Sequence, residues 1–503
     1  MDTFKDTVLK IVKDTTLTHQ QAMIMLADAA VSQEDFWKTS PAFETLHRLG
    51  VVCDIGEPRV PYSPRYALPD YEKLMREGCQ FLHLNPPKTL DEAIHVLQIF
   101  YLQVPSVIHM PVYLGNIDTL LNPFVTDLDK ARPKIERFLD FIGKALPNSF
   151  CHANIGPRET NAGNLIIELE TKRKEAVPGL TLLYDKTITS QAFATSCVQC
   201  ALACSKPSFA NHAIYSRQQM YHPQGYGIAS CYNALSIGGG AYTLSRVVLK
   251  RAADQAKNSE HFLNTVLPEA VSVLSDFMDS KIRFLVEESH FFSSNFLVKE
   301  GFLHRNRFTG MFGVVGLHEA VNILMEKDGK SGRFGKDKEA DALGQLIMET
   351  LEHLLTRHVN SYCEISGGHF VLHAQVGIDS DIGISPGARI AIGEEIPLYD
   401  HMRHAGRFHH FFPSGTGDIF PFDSTYQNNP SSVLNIIDGG FTVGMQYIST
   451  YSSDSDVIRI TGYLAKRSDM ELLDKGNVVQ QNNAIWGLGE VHNGRVLKRK
   501  VRS

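Results

Sequence analysis

The chain has 503 residues, 43% of them hydrophobic, enough to bury a large core and too many for one simple domain. Its 49 basic residues against 55 acidic ones leave a formal charge of −6, so no global basic field exists to attract nucleic acid. No apolar run of about eighteen residues could span a membrane, and residues 1 to 30 lack the charged, apolar and small-residue zones of a signal peptide, so the protein is expected to be cytoplasmic with its eight cysteines reduced.

The first eighty-five residues read as helical. Thr18-x-x-Gln21 is a capping box opening a helix over 19–29, because the Thr hydroxyl and the Gln side chain can each satisfy an orphan backbone N–H. A second box, Thr89-x-x-Glu92, follows Pro86-Pro87 and opens a helix with Ala93, Leu97, Phe100 and Tyr101 on one face. The proline pair places a boundary at 80–88, dividing the chain into an N-terminal helical region (1–85), a main unit (86–410) and a C-terminal unit (411–503). In the main unit, strand-like runs at 104–114, 165–168, 180–183, 314–317 and 370–376 alternate with helical patterns at 131–146, 262–287 and 338–358. Such alternation predicts an α/β fold of parallel strands joined by crossover helices, and periodicity alone does not separate a closed barrel from an open doubly wound sheet. Residues 431–445 form an apolar run broken by Gly439-Gly440, and Asp456-Val457-Ile458 reads as a short strand. The polar segment 423–430, ending Asn-Asn-Pro, has the composition of a hinge, and the basic tail 498–502 reads as a frayed end.

Several side chains could carry chemistry. Cys197, Cys200 and Cys204 have metal-like spacing but lack a fourth soft ligand nearby, and the same spacing makes one stripe of a helix. The triplet Gly238 to Gly240 lacks the Lys-Ser/Thr that would make it a phosphate loop. His409 and His410 are placed at a strand end, where neighbours face opposite sides, so at most one could meet a substrate. Packing, or contacts in a homodimer, is the plainer use of both.

Arg459-Ile460-Thr461-Gly462-Tyr463 resembles the radical-bearing signature of the glycyl radical enzymes. An α-carbon radical is stabilised between an electron-donating nitrogen and an electron-withdrawing carbonyl held in one plane, and glycine alone has no Cβ to crowd that centre. Tyr226-Gly-Ile-Ala-Ser-Cys231-Tyr-Asn-Ala-Leu-Ser-Ile-Gly238 resembles the family's thiyl-radical loop, so Cys231 would relay the spin from Gly462 to substrate. The segment 309–322 resembles the strand and helix that follow this loop. Tyr232 replaces the second cysteine of pyruvate formate-lyase, and Asn233 stands where the family's dehydratases and decarboxylases carry a glutamate. Within the family the chain resembles the YjjI-type proteins, with a barrel resembling that of anaerobic ribonucleotide reductase.

The resemblance implies a ten-stranded α/β barrel of two five-stranded halves, threaded by the Cys and Gly loops, followed by a C-terminal glycyl radical domain. It implies an oxygen-sensitive enzyme acting on a small polar substrate by radical elimination, C–C or C–O scission, or reduction. No cofactor or metal would be bound; a radical-SAM activating enzyme, with its 4Fe-4S cluster and S-adenosylmethionine, would install the radical at Gly462. Glu364, in Tyr362-Cys363-Glu364-Ile-Ser366, falls where the anaerobic reductases place a glutamate near substrate, which makes it the acid/base candidate and Cys363 a second thiol to consider. Two other readings stand beside this one: nucleotide reduction, for which the chain lacks any cysteine after Cys363, and a non-catalytic protein lending its radical domain to a damaged partner enzyme.

Overall fold

Short polar residues start the helices where the sequence puts them. Thr18 accepts the Gln21 N–H at the head of helix His19–Val31, and Thr89 accepts the Glu92 N–H at the head of Leu90–Tyr101, each satisfying one donor that the first turn cannot pair. Asp127 and Asp337 do the same for the long helices Leu128–Ala145 and Lys338–Arg357. The computed structural model describes residues 3–33, 36–37, 39–54, 61–148, 150–375, 382–493 and 495–503.

The strands, in chain order, are β1 (Val52–Asp54), β2 (Tyr66–Leu68), β3 (His152–Ile155), β4 (Gly179–Tyr184), β5 (Ser208–Asn211), β6 (Tyr226–Ala229), β7 (Asn233–Ser236), β8 (Gly239–Val248), β9 (Phe308–Val315), β10 (Val371–Ala374), β11 (Asp418–Phe422), β12 (Tyr447–Ser452), β13 (Val457–Arg459) and β14 (Leu464–Lys466). They build two five-stranded sheets. In one, β3, β4 and β5 run parallel, β12 joins β5 antiparallel, and β11 lies parallel to β12. In the other, β8, β9 and β10 run parallel while β1 and β2 pair antiparallel with opposite ends of β8. Strands β3, β5, β8 and β9 are buried along their whole length, as expected of sheets covered on both faces. The halves do not share a ladder among the described residues; the Ala374 N–H reaches the Gly415 carbonyl at 3.1 Å, tying the end of β10 to the loop before β11. Two five-stranded α/β halves match the expected architecture, without closure by continuous hydrogen bonding.

Some local expectations change. Residues 104–114 form turns rather than a strand, since Pro105 and Pro111 deprive the segment of two ladder donors. Residues 165–168 belong to helix Asn161–Arg173, whose Thr160 cap accepts the Gly163 N–H. The strand expected at 314–317 stops at Val315, because Gly316 takes φ +81° and starts helix Leu317–Lys327. Residue 376, the end of the expected last strand, lies outside the described residues. Helix Pro430–Thr442 runs through the Gly439-Gly440 pair. His409 ends helix Leu398–His409 instead of a strand: its ring is buried, while His410 is exposed.

The expected boundaries also do not separate packing units. Residues 1–85 donate β1 and β2 to one sheet, and β11 and β12 from beyond residue 410 complete the other. What stands apart is a smaller core beyond β12, in which Ile458, Ile460, Tyr463, Ala465, Met470 and Ala484 pack around hairpin β13–β14. The tail is docked rather than frayed. Arg502 donates its N–H to the Pro421 carbonyl at 2.8 Å and accepts the Asp423 N–H at 3.0 Å, and Arg499 and Arg502 are buried.

Candidate active site

Cys231 sits at the tip of a finger built from β6 and β7, whose register pairs Ala229 with Asn233 and leaves Ser230, Cys231 and Tyr232 as the turn. Ser230 takes φ +60°, a left-handed conformation that a non-glycine residue holds only when its surroundings impose it. Those surroundings come from both sheets. Asn154 of β3 pairs with Ile228 like a neighbouring strand, its Oδ1 accepting the Ile228 N–H at 2.8 Å and its Nδ2 donating to the Ile228 carbonyl at 2.9 Å. Tyr447 of β12 donates its hydroxyl to the Cys231 carbonyl at 2.8 Å. Tyr232 donates to the Ala374 carbonyl of β10 at 2.7 Å, and the Ala234 N–H reaches the Ser414 carbonyl at 2.9 Å. The finger is therefore clamped between the halves. Gly415 permits this approach, since a Cβ there would lie 2.0 Å from the Tyr232 carbonyl oxygen.

A carbonyl accepts only, and this fixes one tautomer. His152 must donate Nδ1–H to the Ser230 carbonyl at 3.2 Å, so its Nε2 accepts from the Thr181 hydroxyl at 2.7 Å. Burial, reinforced by the nearby Arg459 charge, pushes the imidazole down to about 3, which keeps it neutral. The Cys231 thiol is buried, and burial raises it above its ordinary value despite the Tyr232 N–H and the charges of Arg459 and Arg389. It is held as S–H, the form a hydrogen-atom donor requires. Asn233 donates Nδ2–H to Cys231 Sγ at 3.4 Å and to the Ala229 carbonyl at 2.9 Å; its Oδ1 is buried and meets no donor among the described residues.

Gly462 lies in the loop between β13 and β14, where Arg459 pairs with Leu464 and the Ile460 N–H meets the Tyr463 carbonyl at 3.0 Å. All five residues of Arg459 to Tyr463 are buried. The Arg459 guanidinium donates to the Gly462 carbonyl at 3.3 Å and to Ser208 Oγ at 2.9 Å, while Arg499 donates to the carbonyls of Arg459 and Ile460. A cation on the Gly462 carbonyl strengthens the electron withdrawal that an adjacent α-radical needs. Arg459, which donates to the Gly462 carbonyl, also lies near enough to Tyr447 and Cys231 for its charge to act on both, which brings the two loops into one neighbourhood.

The other candidates stand elsewhere. Glu364 forms a surface turn, its side chain 46% exposed and paired with Arg305 at 2.7 Å, which removes it from the thiol. Cys363 accepts the Gly310 N–H at 3.2 Å near the start of β9, and burial pushes its thiol up to about 12. Cys197, Cys200 and Cys204 lie buried on helix Gln191–Cys204, with Cys200 and Cys204 sulfurs 3.7 Å apart and the Cys204 thiol facing backbone carbonyls. His409 accepts the Gln446 N–H at Nδ1, 2.9 Å, so its Nε2–H faces Asp418 at 3.2 Å. Asp418 and its second imidazole neighbour, His401, line a cavity of about 410 Å³ that also meets Arg389, Thr461 and Arg499. The cavity touches the residue before Gly462 and not Cys231 itself. Sequence reading missed His152, Tyr447 and Arg389, which come from separate elements with no shared motif.

Two α/β halves around a clamped cysteine finger and a buried glycine hairpin define the glycyl radical enzyme class. The anaerobic ribonucleotide reductase of Thermotoga maritima, with glycerol in its active site, superposes with a TM-score of 0.69 at 13% identity, covering 94% of this chain and 89% of that one. A profile described as "Glycyl radical enzyme YjjI-like" matches residues 17–502. An uncharacterised protein of Haemophilus influenzae is 43% identical over 98% of this chain and 97% of its own, and the YjjI protein of Escherichia coli is 38% identical over 90% and 87%. The chain belongs to the YjjI-like glycyl radical enzyme family.

Proposed function

We propose that Gly462 stores an unpaired electron on its Cα and that Cys231 relays it to a small polar substrate. The glycyl radical takes the hydrogen atom of the Cys231 S–H, giving an intact glycine and a thiyl radical; the thiyl then takes a hydrogen atom from a substrate carbon, restoring S–H and leaving the spin on substrate. The observation that carries the reading is the shared burial of the two loops around Arg459 and Tyr447, which excludes water from the radical path. Installing the radical removes one hydrogen atom from the Gly462 Cα, a task for a radical-SAM activating partner as in the family at large. Asn233, with one N–H on the sulfur and a free buried oxygen, replaces Glu364 as the polar group beside the reacting thiol. Nucleotide reduction draws support from the fold likeness alone.

Anaerobic activation followed by EPR tests this. Wild type should show a doublet from the remaining Cα hydrogen, absent in Gly462→Ala. In D2O the doublet should collapse toward a singlet as the exchangeable Cys231 thiol passes deuterium to Gly462, and Cys231→Ala should keep the doublet. A silent spectrum from a fully activated sample, or collapse without Cys231, overturns the reading.

A further inference from the structure

Glu319, Glu394, Glu395, Asp418 and the buried Glu490 line the 410 Å³ cavity, and each is engaged. Glu319 accepts the Ser385 hydroxyl at 2.6 Å and its N–H at 3.1 Å. Glu394 faces Lys336 at 3.3 Å and His318 at 3.7 Å, and Glu395 accepts the Gly393 N–H at 2.7 Å. Asp418 lies between the Nε2 atoms of His409 at 3.2 Å and His401 at 3.5 Å. The cations are not matched in the same way. Arg389 donates its Nε to the Gly417 carbonyl and lays its guanidinium over the Tyr232 ring, 5.3 Å from the centroid. Among the described residues its two terminal NH2 groups have no hydrogen-bond partner and no carboxylate within ion-pair distance, although Arg389 lines the cavity. Lys250 lines it too, also without a carboxylate partner among the described residues.

A guanidinium anchored through Nε keeps its terminal amino groups in a fixed plane, a geometry that receives two oxygens of one anion. The fork is half-buried and opens on the cavity, so an entering anion meets a charge that no carboxylate of the described residues already pairs. Arg459 and Arg499 add positive charge near Arg389, and the buried Asp418 carboxylate offsets part of it. The position is specific. Arg389 packs on Tyr232, which follows Cys231, and the same cavity is lined by Thr461, which precedes Gly462.

We propose that Arg389, assisted by Lys250, binds an oxyanion group, carboxylate or phosphate, of the small molecule on which this site acts. The proposal rests on the reading that Cys231 and Gly462 form the reacting pair, and it names the substrate class for that pair. An anion seated on Arg389 is held beside Tyr232, one residue from Cys231. The cavity volume lies in the usual range for small-molecule sites.

Calorimetric titration of the unactivated protein tests it, using inorganic phosphate, propanoate and the uncharged propanamide at matched ionic strength. Saturable binding is expected for at least one anion below about 50 mM and none for propanamide, with affinity reduced about tenfold or more in Arg389→Gln and less in Lys250→Gln. Binding of phosphate alone assigns a phosphate ester, and of propanoate alone a carboxylic acid. Equal binding of propanamide, no saturable anion, or wild-type affinity in Arg389→Gln overturns the proposal. Should Arg389→Gln fail to fold, the wild-type comparison of anion with amide decides. None of these measurements needs a radical, so a silent EPR spectrum would sink the radical reading and leave the anion result standing, and the reverse holds equally.

Discussion

The Tyr447 hydroxyl is the support of the cysteine finger that can be removed without opening a hole. Tyr447→Phe keeps the buried ring and deletes the donor to the Cys231 carbonyl, which has no other donor among the described residues. A buried carbonyl left unpaired costs about 1–3 kcal/mol, so the urea midpoint should fall by that amount divided by the m-value, with the m-value unchanged. The kinetic effect should be larger in proportion. Freed of that bond, the turn can shift Sγ by a fraction of an ångström to an ångström, and misplacement on that scale costs up to about 100-fold in a hydrogen transfer that needs close approach. Freeze-quenched EPR in D2O measures this directly, as a doublet collapsing about 10- to 100-fold more slowly than in wild type. Tyr242→Phe is the control: its one hydroxyl proton is shared between the Arg305 and Tyr362 carbonyls at 3.0 Å each, so it should lose comparable stability and exchange at the wild-type rate. If Tyr447→Phe matches wild type in both midpoint and exchange, the clamp on Cys231 does not do what its geometry implies.

His152 and His373 are each pushed by burial from an ordinary 6.5 down to about 3. Below 6.5 the unfolded chain takes up protons that the folded chain refuses, so their contribution is complete above that pH and is lost progressively on acidification. At about 1.4 kcal/mol per pH unit for each group, the pair should cost about 3 kcal/mol between pH 7.5 and 5.5, and His152→Gln should remove about half of this pH dependence in urea titrations. Glu364→Gln removes only an exposed ion pair with Arg305 and should change stability by less than about 1 kcal/mol while leaving the EPR doublet and its D2O collapse intact. Lys206 and Glu170 face each other at 2.7 Å with both side chains fully buried. Lys206→Met leaves the buried carboxylate facing only Arg173, at 3.7 Å, and should cost about 3 kcal/mol by thermal or urea unfolding, and adding Glu170→Leu should recover part of that loss.

What could be read from the sequence was local. Capping at Thr18 and Thr89 depends on residues three apart, and the helices stand where those boxes begin them. The strand ending at Val315 was legible in part, as an apolar run expected to reach 317 that Gly316 stops two residues earlier. Pairing between distant segments was not legible. Nothing in the N-terminal helical pattern announces that Val52–Asp54 and Tyr66–Leu68 complete a sheet with β8, because three-residue strands carry too little periodicity to be seen. Residues 165–168 look like a strand in isolation, and only the Thr160 cap shows them to be helical. At the site, Cys231 and Gly462 could be singled out because each lies in its own motif, and the structure buries both. Glu364 was placed near substrate by resemblance alone, while its surroundings, Arg305 and open solvent, are set by tertiary structure, and the groups that do surround Cys231 arrive singly from β3, β12 and the segment between β10 and helix Leu398–His409.

The docked tail couples two motions that would otherwise be independent. Arg499 grips the backbone of the glycine hairpin, while Arg502, three residues on, is zipped to Pro421 and Asp423 at the start of the segment whose composition suggested a hinge. The hairpin cannot be drawn out for contact with another protein until Arg499 lets go, and a displaced Arg499 pulls on the same short strand. Loop and tail are therefore tied as a bolt and its catch, and the catch in its resting position closes the interior around Gly462.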